Sequence, residues 1–526
     1  MRQLTPLSPR PPQHLPLLHG LLLGAALVTG VPFASQAAPR TPEAFDLVIS
    51  GGRVIDPATS TDRVADVGIR GGKVVTTSGH QLRGRTMLDA RGKVVSPGFV
   101  DILASTHPEG DRYKVMDGVT TVLSTHGGPI GVAKWIADQQ ARGPLVNYGT
   151  VVGHFALRDA AGATDRNQPA TPGQVQRMVQ LADGAHREGA LGVGFGVEYM
   201  PGTSGEEVVQ LAQVAARYRT SVHAHIRLPH LLDPFQGINE LIAASAATGA
   251  RTQVVHIGSM AIQRQKEALA LIDRARLRGI DIAADIYPYD AWMTRLQSAI
   301  FDPGWQQKLL LDYNDLVWVA TGERITEASF PKLRAQGGFV ACHQIPEAEI
   351  ELALRHPQVS VASDGYIGET NSDHPRGAGT FSRVLGLYVR ERKTLSLQSA
   401  LRKMTIQPVL RLQPGAPALR TKGRLSPGMD ADVTVFDPQT IADRSTFQNP
   451  RQFSSGVVHV VVNGIVVVQD GKLRIESQGP GLPIRGSGAT PAAAPRRSAR
   501  PRSAAAPGPI RYLPTSPKTA GLKTGS

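Results

Sequence analysis

The sequence has a single cysteine, Cys342, among its 526 residues. No intrachain disulfide can form, so the fold must be held together by a hydrophobic core. A chain of this length exceeds what one compact core supports, which predicts at least two domains or one large barrel with additions.

Acidic residues are absent from the C-terminal segment 478–526, which contains eight cations. Two further arginines lie in residues 1–37, so ten of the fourteen net positive charges belong to the chain ends and the body carries +4. That balance is ordinary for a globular domain and does not indicate nucleic-acid binding. The segment 478–526 is rich in Pro, Ala, Ser and Arg, which predicts disorder. Either a solvated tail or one that contacts anionic envelope polymers fits this composition.

A second long apolar run is also missing. The first, Leu15–Phe33, follows a basic start and precedes small residues up to Ala37, which predicts a secretory signal peptide, residues 1–37, cleaved after Ala37. Because this run contains His19 and three glycines, and no other apolar stretch of about 18 residues follows, we expect no membrane span. An uncleaved anchor is the alternative. The leader predicts a periplasmic or secreted protein.

Short β-rich runs around Gly-Gly pairs begin the body, in FDLVISGGRVID and VADVGIRGGKVV, and predict two hairpins. Similar runs return near the end in ADVTVFDP and VVHVVVNGIVVVQDGKL, where Asn463-Gly464 is a turn dipeptide. These two segments, residues 44–95 and 415–477, most simply form one small β-sandwich built from both chain ends.

Between these segments, in residues 96–414, short β-branched runs alternate with helical stretches such as GEEVVQLAQVAARY. This alternation is typical of parallel βαβ units and predicts an α/β fold, a (β/α)8 TIM barrel. A further run, GGFVACHQI, is either an extra strand or part of an insertion. A doubly wound open sheet is the alternative, but no Gly-rich phosphate loop follows the first strand. The eight predicted strands are Val94–Leu103, Val119–Thr125, Val146–Gly153, Leu191–Val197, Ser221–Ile226, Thr252–Gly258, Ile280–Tyr289 and Val359–Asp364.

Several predicted strands end in a histidine or an acid, namely His126, His154, His225, His256 and Asp364. The carboxyl ends of barrel strands all face one mouth, where active sites lie. One such histidine is more often structural, but four histidines and an aspartate at one mouth are hard to explain as core residues. Imidazoles with a carboxylate in a half-dry site suit a divalent metal, zinc most readily.

Many ordered motifs run from about Phe45 to Leu473, among them SPGFVD, DGVTTV, NYGTVVGH, EYMPG, HAHIR, VVHIGS, DIYPYDA, VASDG, HPRGAGTFSRVLG and KGRLSPGMDADVTVFDP. With these motifs the chain resembles the amidohydrolase superfamily, and within it the N-acyl-D-amino-acid deacylases (the D-aminoacylase family) and their branch acting on N-acyl-D-glutamate. The resemblance implies a barrel of the metal-dependent hydrolase type with a β-sandwich, zinc as cofactor and a small-molecule N-acyl amino acid as substrate.

The resemblance also implies roles for five residues. His225 and His256 match metal-binding histidines on the fifth and sixth strands. Asp364 matches the carboxylate of the eighth strand, which serves as general base and touches the metal. Arg376, in HPRG, matches an arginine that binds the substrate carboxylate. Tyr287, in YPY, matches a tyrosine that orients the substrate, with barrel packing as the alternative.

The chain departs from the family at its first two barrel strands. Leu103 and Ser105 stand where the family has paired histidines, so one of two metal positions is lost or rebuilt. His126 stands where the family has a cysteine or an acid, which predicts a three-histidine set of His126, His225 and His256 with an open fourth position. We therefore expect one zinc ion rather than two.

Three residues just beyond the lost pair, His107, Glu109 and Asp111, could supply replacement ligands, although loop acids and histidines are mostly solvated. We expect His154 and His223 to be structural or to contact the site residues rather than the metal. His223 shares a strand face with His225, which would place it deeper in the barrel.

These observations predict an enzyme, a metal-dependent amidohydrolase that hydrolyses the amide of an N-acyl amino acid through a metal-bound water. We expect the substrate to be an N-acyl-D-amino acid, and a D-glutamate-like one if the resemblance to the N-acyl-D-glutamate branch holds.

The alternative is a secreted binding or scaffold protein that kept the barrel and lost the chemistry, supported by Leu103 and Ser105 and by bulky Trp292 and Met293 in the expected pocket. A third is another amide or cyclic-imide hydrolase, because fold does not determine substrate. The oligomeric state is not indicated.

Overall fold

The computed structural model describes residues 44–79, 81–368, 373–475 and 478–489. The predicted leader, residues 1–37, and the predicted tail beyond residue 489 lie outside these ranges, so cleavage, export and tail disorder stay predictions. Across the described ranges, no helix combines the length and apolar character that a bilayer crossing requires.

Five strands begin the described chain: β1 Phe45–Asp56, β2 Thr61–Arg70, β3 Lys73–Ser78, β4 Gly84–Asp89 and β5 Val94–Pro97. The hairpin predicted at Gly71-Gly72 is confirmed, with β2 antiparallel to β3. The hairpin predicted at Gly51-Gly52 is wrong, because β1 continues through these glycines with a bulge that begins at Ile49. The irregularity lets the first half of β1 pair with β4 and the second half with β5.

The central region contains the parallel strands of a barrel and an insertion before its last strand. These are β6 Phe99–Asp101, β7 Val119–Ser124, β8 Asn147–Thr150, β9 Val152–Gly153, β10 Gly192–Gly196, β11 Ser221–His225, β12 Arg251–Val254, β13 Ile282–Ile286, then β14 Ala291–Arg295, β15 Val317–Trp318, β16 Glu323–Arg324 and β17 Phe339–His343 of the insertion, and β18 Val359–Val361. In one set β6, β7 and β8 are neighbours, and in another β9 to β13 are followed by β18.

The third barrel strand joins the two sets. β8 pairs with β7 and β9 pairs with β10, and only Val151 separates β8 from β9. On the opposite side, a parallel bridge from Ala104 to Gly365 links the first and eighth strands. The order of strands around the ring is that of a (β/α)8 barrel, which confirms the predicted fold.

Most of the helices follow barrel strands and cover them, whereas two short helices lie in the insertion. They are α1 Pro108–Met116, α2 Val132–Arg142, α3 His154–Ala160, α4 Pro172–Arg187, α5 Gly205–Arg217, α6 Phe235–Thr248, α7 Ile257–Ala261, α8 Gln265–Leu277, α9 Trp305–Leu309, α10 Phe330–Gln336, α11 Glu347–Arg355, α12 Arg376–Arg383, α13 Leu397–Met404 and α14 Ile406–Leu412. In α5, the Ser204 hydroxyl caps the helix by accepting from the Glu207 amide at 3.1 Å. Val208, Leu211 and Ala215 recur at helical spacing and are buried.

An insertion between β13 and β18 has a four-stranded sheet in the order β14, β17, β15, β16. The run GGFVACHQI supplies β17 and therefore belongs to this insertion. The insertion has its own apolar cluster, with Phe301, Trp305 and Trp318 among its largest side chains. Because it has an apolar core of its own, the insertion can fold at the barrel mouth without contributing a strand to the barrel.

The last strands are β19 Val433–Phe436, β20 Val457–Val462, β21 Ile465–Gln469 and β22 Lys472–Leu473. β19 is antiparallel to β5, which joins both end segments in one nine-stranded sheet. Asn463 and Gly464, both with positive φ, form the predicted turn between β20 and β21. The domain predicted above as a small β-sandwich from both chain ends is confirmed as a sheet-rich unit to which both ends contribute strands.

The first predicted strand, Val94–Leu103, is two strands divided at Gly98. The Gly98 amide donates to the Asp432 carbonyl at 2.9 Å, so β5 stays in the β-rich sheet while β6 enters the barrel. A Cβ at Gly98 would stand 2.2 Å from the Thr120 hydroxyl, so only glycine permits this approach to β7.

Residues 478–489, assigned above to the disordered tail, instead pack against the amino-terminal ends of barrel strands. The Ile484 amide donates to the Tyr148 carbonyl at 2.7 Å, and the Tyr148 amide donates to the Leu482 carbonyl at 3.1 Å. The Ile484 side chain is buried in a cluster with Leu123 and Leu191. Composition alone misses such a segment, because backbone hydrogen bonds and one buried side chain are enough to hold it.

Ile484 lies outside the predicted barrel, residues 96–414, but its replacement should destabilise the barrel. We expect Ile484→Ala to lower the free energy of unfolding by about 2–4 kcal/mol, since it removes buried methyl groups and leaves a cavity. The matched control is Leu482→Ala, whose side chain is 54% exposed and should change stability by less than about 0.5 kcal/mol. Urea unfolding monitored by circular dichroism measures both, and equal effects would contradict the packing role of Ile484.

Candidate active site and metal centre

A cavity of about 1130 Å³ opens at the carboxyl ends of the barrel strands. The insertion forms part of its wall through Trp292 and Met293. In barrels of this kind, the chemistry takes place at this mouth. The barrel residues that line the cavity include Ser105 after β6, His126 after β7, Glu198 after β10, His225 at the end of β11, His256 after β12, Tyr287 after β13 and Asp364 after β18.

Three histidines, His126, His225 and His256, form the one group of potential metal ligands found in the described part of the chain. One ring nitrogen from each lies within 4.8 Å of those of the other two. The Nδ1 atom of His225 and the Nε2 atom of His256 are 3.1 Å apart. The structure thus brings together the three histidines that the sequence selected, although they follow three different strands.

Burial lowers the pKa of all three imidazoles, and the pKa values of His225 and His256 are lowered further by the neighbouring imidazoles. The rings are therefore neutral at pH 7, so each can offer a lone pair. The Nε2 atom of His225 is buried without a hydrogen-bond partner in the protein. Neutral imidazoles with such an orphaned nitrogen fit a zinc ligand set.

His256 is held in an uncommon backbone conformation, with φ of 37°. Its amide donates to Oδ1 of Asp285 at 2.7 Å, and Oδ2 of Asp285 accepts from the Gln253 side chain at 2.8 Å. The Ser259 hydroxyl lies 2.9 Å from Nδ1 of His256. Burial raises the pKa of Asp285 to about 7. These contacts fix both the backbone and the ring of His256.

Asp364 lies beside the histidine group and is not one of its members. Its Oδ1 atom is 3.7 Å from Nδ1 of His126, and its Oδ2 atom is 2.9 Å from Nη2 of Arg376. With φ of 49°, the residue adopts the left-handed conformation directly beyond β18. The predicted base thus bridges the histidines and the predicted substrate-binding arginine.

Arg376 opens α12 and lies with its guanidinium 4.5 Å from the centroid of the Tyr287 ring. The Arg376 amide donates to Nδ1 of His374, whose Nε2 donates to the Ala291 carbonyl at 3.0 Å. The Nε atom of Arg376 and the hydroxyl of Tyr287 are buried without hydrogen-bond partners. Burial raises the pKa of Tyr287 to about 12, so its hydroxyl remains a donor at neutral pH.

The first barrel strand supplies no metal ligand to this group. Leu103 is buried in an apolar cluster with Leu123 and Val255. The hydroxyls of Ser105 and Ser124 lie 3.5 Å apart. An aliphatic side chain and two hydroxyls therefore occupy the region where the family resemblance predicts paired histidines.

The three suggested replacement ligands do not join the histidines. Asp111 accepts from the Thr106 hydroxyl at 2.7 Å and forms an ion pair with Arg142 at 2.9 Å. Glu109 lies 3.5 Å from Arg112 within α1. The ring of His107 packs edge-on against Tyr366.

His154 and His223 are structural in their contacts. His154 is buried with its Nε2 atom 2.6 Å from Glu207, which also forms an ion pair with Arg158. His223 is buried with its Nε2 atom 2.8 Å from the Ser221 hydroxyl. Burial lowers the pKa of His223 to about 3, so this ring is neutral.

Sequence reasoning missed three residues that support the site. Asp285 and Ser259 hold His256, and Tyr199 packs with its ring centroid 4.6 Å from that of His225. The Tyr199 hydroxyl also lies 3.1 Å from that of Thr294 in the insertion. The acid within the apolar run of β13 was a usable signal for Asp285, because a buried carboxylate needs partners.

A (β/α)8 barrel with convergent histidines at the carboxyl ends of its strands, together with a β-rich unit from both chain ends, defines the class of metal-dependent hydrolases. Comparison with known proteins identifies the family within that class. The model of the amidohydrolase family matches residues 103–468, and the chain belongs to this family.

Two curated relatives match over most of their length. An N-acyl-D-glutamate deacylase of Alcaligenes xylosoxydans xylosoxydans is 33% identical over 475 residues, covering 81% of this chain and 94% of the relative. A D-aminoacylase of the same organism is 28% identical over 484 residues, covering 81% of this chain and 95% of the relative.

Solved structures show the same fold. The N-acyl-D-glutamate deacylase of Bordetella bronchiseptica, crystallised with zinc and a phosphonate inhibitor, has a TM-score of 0.73 at 29% identity and covers 84% of this chain and 100% of its own. A D-aminoacylase studied for its binuclear metal centre has a TM-score of 0.71 at 27% identity with the same coverage. Structural relatives thus bind metal at a barrel of this design.

The histidine group should bind one metal ion. We expect about one zinc ion per chain in the purified protein after dialysis without chelator, falling well below half in His225→Ala and His256→Ala, because each variant removes one of three imidazoles. The control is His343→Ala, since His343 pairs with Asp290 at the end of β17 and should leave the zinc content unchanged. Elemental analysis measures the content, and zinc retained in both site variants would contradict this ligand set.

Proposed function

We propose that the protein is a metal-dependent amidohydrolase that hydrolyses the amide bond of an N-acyl-D-amino acid. The observation that carries the proposal is the group of three neutral imidazoles beside an aspartate–arginine pair at the barrel mouth. Family membership and the two deacylase relatives support the same reaction class, hydrolysis of a carbon–nitrogen bond other than a peptide bond.

His126, His225 and His256 would hold one zinc ion, with Asp364 at the edge of the group. A single ion is proposed because Leu103 and Ser105 offer no competent ligand for a second. When bound, zinc would supply Lewis-acid polarisation of the amide carbonyl and make a water molecule more acidic.

Asp364 is the residue placed to move a proton. In the proposed reaction, it accepts the proton of the attacking water and returns it to the nitrogen of the leaving amine. Its Oδ2 atom is tied to Arg376 at 2.9 Å, which leaves Oδ1 directed towards His126. That pairing orients the carboxylate before substrate arrives.

Arg376 would bind the α-carboxylate of the substrate. A guanidinium fork suits a carboxylate, and the Nε atom of Arg376 has no hydrogen-bond partner in the protein. Because the same side chain contacts Asp364, a carboxylate bound there would stand next to the base. The protonated Tyr287 hydroxyl, which also lacks a partner, is a donor for a substrate oxygen.

A binding or scaffold role without catalysis is not favoured. Its support was the loss of a histidine pair at Leu103 and Ser105, which leaves the three-histidine group in place, and the bulk of Trp292 and Met293, which were expected to fill the pocket. Both side chains line the cavity wall, and about 1130 Å³ of space remains open. The base, the arginine and the histidines all face this space, so the site is accessible to a small substrate.

Export to the periplasm or beyond is part of the proposal. It is supported by the basic start, the apolar run Leu15–Phe33 and the small residues that precede Pro39. A cleaved leader would leave the barrel and the β-rich unit complete, since the first described strand begins at Phe45.

Removing the proposed base should separate catalysis from metal binding. We expect Asp364→Asn to keep about one zinc ion per chain while kcat falls by about 10²–10⁴-fold, because the amide cannot accept the proton. The control is Asp290→Asn, a carboxylate 50% exposed and paired with His343, which should leave kcat unchanged. Amine release from N-acetyl-D-amino acids measures the rate, and a fully active Asp364→Asn variant would overturn the assignment.

The residues of the cavity wall favour a substrate with an apolar side chain over a substrate whose side chain carries a second carboxylate. Arg376 is the one buried arginine or lysine among the described lining residues, whereas Arg166 pairs with Asp302 and Arg295 is exposed. A substrate acid without a buried partner loses hydration. We therefore expect kcat/KM to be at least about tenfold higher for N-acetyl-D-methionine than for N-acetyl-D-glutamate.

Kinetics on N-acetyl-D-methionine, N-acetyl-D-glutamate and their L enantiomers measure this preference. The variant Arg295→Met serves as a control, because Arg295 packs over Phe339 and, among the described arginines that line the cavity, it is the one without a carboxylate partner. A preference for D-glutamate that is lost in Arg295→Met would contradict the apolar assignment and identify Arg295 as the side-chain ligand.

A further inference from the structure

Three buried polar side chains form a network at the seam between the first and eighth barrel strands. The Lys114 ammonium, from α1, donates to Oδ2 of Asp101 at 2.9 Å and to the Ser363 hydroxyl at 2.8 Å. The side chains of Lys114 and Asp101 are 4% and 0% exposed, and Ser363 is fully buried. A buried charge pair of this kind is costly to assemble, so its position in the fold is informative.

The network holds the backbone on both sides of Asp364. Oδ1 of Asp101 accepts from the Ser363 amide at 3.0 Å, and the Ser363 hydroxyl accepts from the Gly365 amide at 2.9 Å. Between these two anchored residues, Asp364 has a φ of 49°. A non-glycine residue in that region is strained and persists only where its surroundings hold it.

The same network lies against the segment that presents Arg376. A Cβ at Gly365 would stand 2.7 Å from the Cα of Gly377 and 3.0 Å from the Lys114 ammonium. Gly365 therefore packs directly between Lys114 and the residue after Arg376. The buried network therefore contacts the backbone next to Asp364 and, through Gly365, the backbone next to Arg376.

No hydrogen bond joins the three histidines to this network in the described structure. His126, His225 and His256 follow β7, β11 and β12, and the side chains that hold His256, namely those of Asp285 and Ser259, make no hydrogen bond to Asp101, Lys114 or Ser363 in the described structure. Loss of the network should therefore affect Asp364 without removing the metal ligands.

We propose that Lys114 is a positioning residue for the hydrolysis, which through Asp101 and Ser363 holds Asp364 in its left-handed conformation and aims its carboxylate between His126 and Arg376. The proposal rests on the proposed function for its effect on rate. Its structural half, the conformation of residue 364, is independent of which substrate the protein uses.

The test compares Ser363→Ala and Lys114→Met in the zinc-loaded full chain. Ser363→Ala is the milder change, because it removes the shared hydroxyl and leaves the Lys114–Asp101 pair intact. The matched control is Lys403→Met, a second buried lysine that donates at 2.9 Å to the Val359 carbonyl at the opposite end of β18. Any loss of stability that follows from removing a buried lysine should appear in this control as well.

We expect kcat to fall about 10–100-fold in Ser363→Ala and Lys114→Met, while KM stays within about threefold and zinc content is unchanged, since small misplacements of a reacting group are costly. In an Asp364→Asn background neither substitution should lower the rate further, because both act through Asp364. Lys403→Met should keep the wild-type kcat.

Crystal structures of Ser363→Ala and, if it folds, Lys114→Met supply a measurement that needs no substrate. We expect residue 364 to leave the left-handed region and the Asp364–Arg376 contact to lengthen. An unchanged residue 364 with an unchanged kcat in Ser363→Ala would overturn the proposal, as would losses that multiply in the Asp364→Asn background. If the wild-type chain turns over no N-acyl amino acid, the proposed function fails, and the conformation of residue 364 still decides the positioning role.

Discussion

Desolvation of three adjacent imidazoles is the constraint on which the active end of the barrel depends. Burial removes the water that would stabilise charge on His225 and His256 and part of the water around the half-buried His126, and their proximity makes charge on more than one unfavourable. The rings therefore stay neutral, which suits them as ligands. One hydrogen bond, 3.1 Å long between Nδ1 of His225 and Nε2 of His256, joins two of them directly. Their arrangement must come from the strand ends and from hydrogen bonds such as that between the His256 amide and Asp285.

The eighth strand connects this cluster to the closure of the barrel. Its end supplies Asp364, and the residues on either side of Asp364 are anchored by Asp101 of the first strand and by the Ser363 hydroxyl. The first strand itself contributes no ligand, since Leu103 packs into the core. Holding the ring closed and aiming the base therefore use the same buried hydrogen bonds, whereas metal binding is assigned to other strands. Catalytic geometry and metal affinity can be altered separately in such a design.

Most of the fold was predictable, because β-branched runs and amphipathic helices are local patterns that tertiary packing reinforces. The predictions that were wrong also have physical causes. Gly51-Gly52 has the composition of a turn but is a bulge in one long strand, since pairing with both β4 and β5 outweighs the local preference. Residues 478–489 have the composition of a tail but are held by the edge of the barrel. The insertion strand Phe339–His343 could not be placed because its partners are distant in sequence.

The sequence by itself determined the class of fold and the types of residue at the strand ends, because hydrophobic period and the position of a histidine after a strand are properties of short segments. Only the tertiary structure decided which of those residues meet. It separated His154 from the ligand group, turned Asp364 towards Arg376, and placed Lys114 beneath them. Such distances join residues hundreds of positions apart, and they depend on how strands and helices pack around a common core.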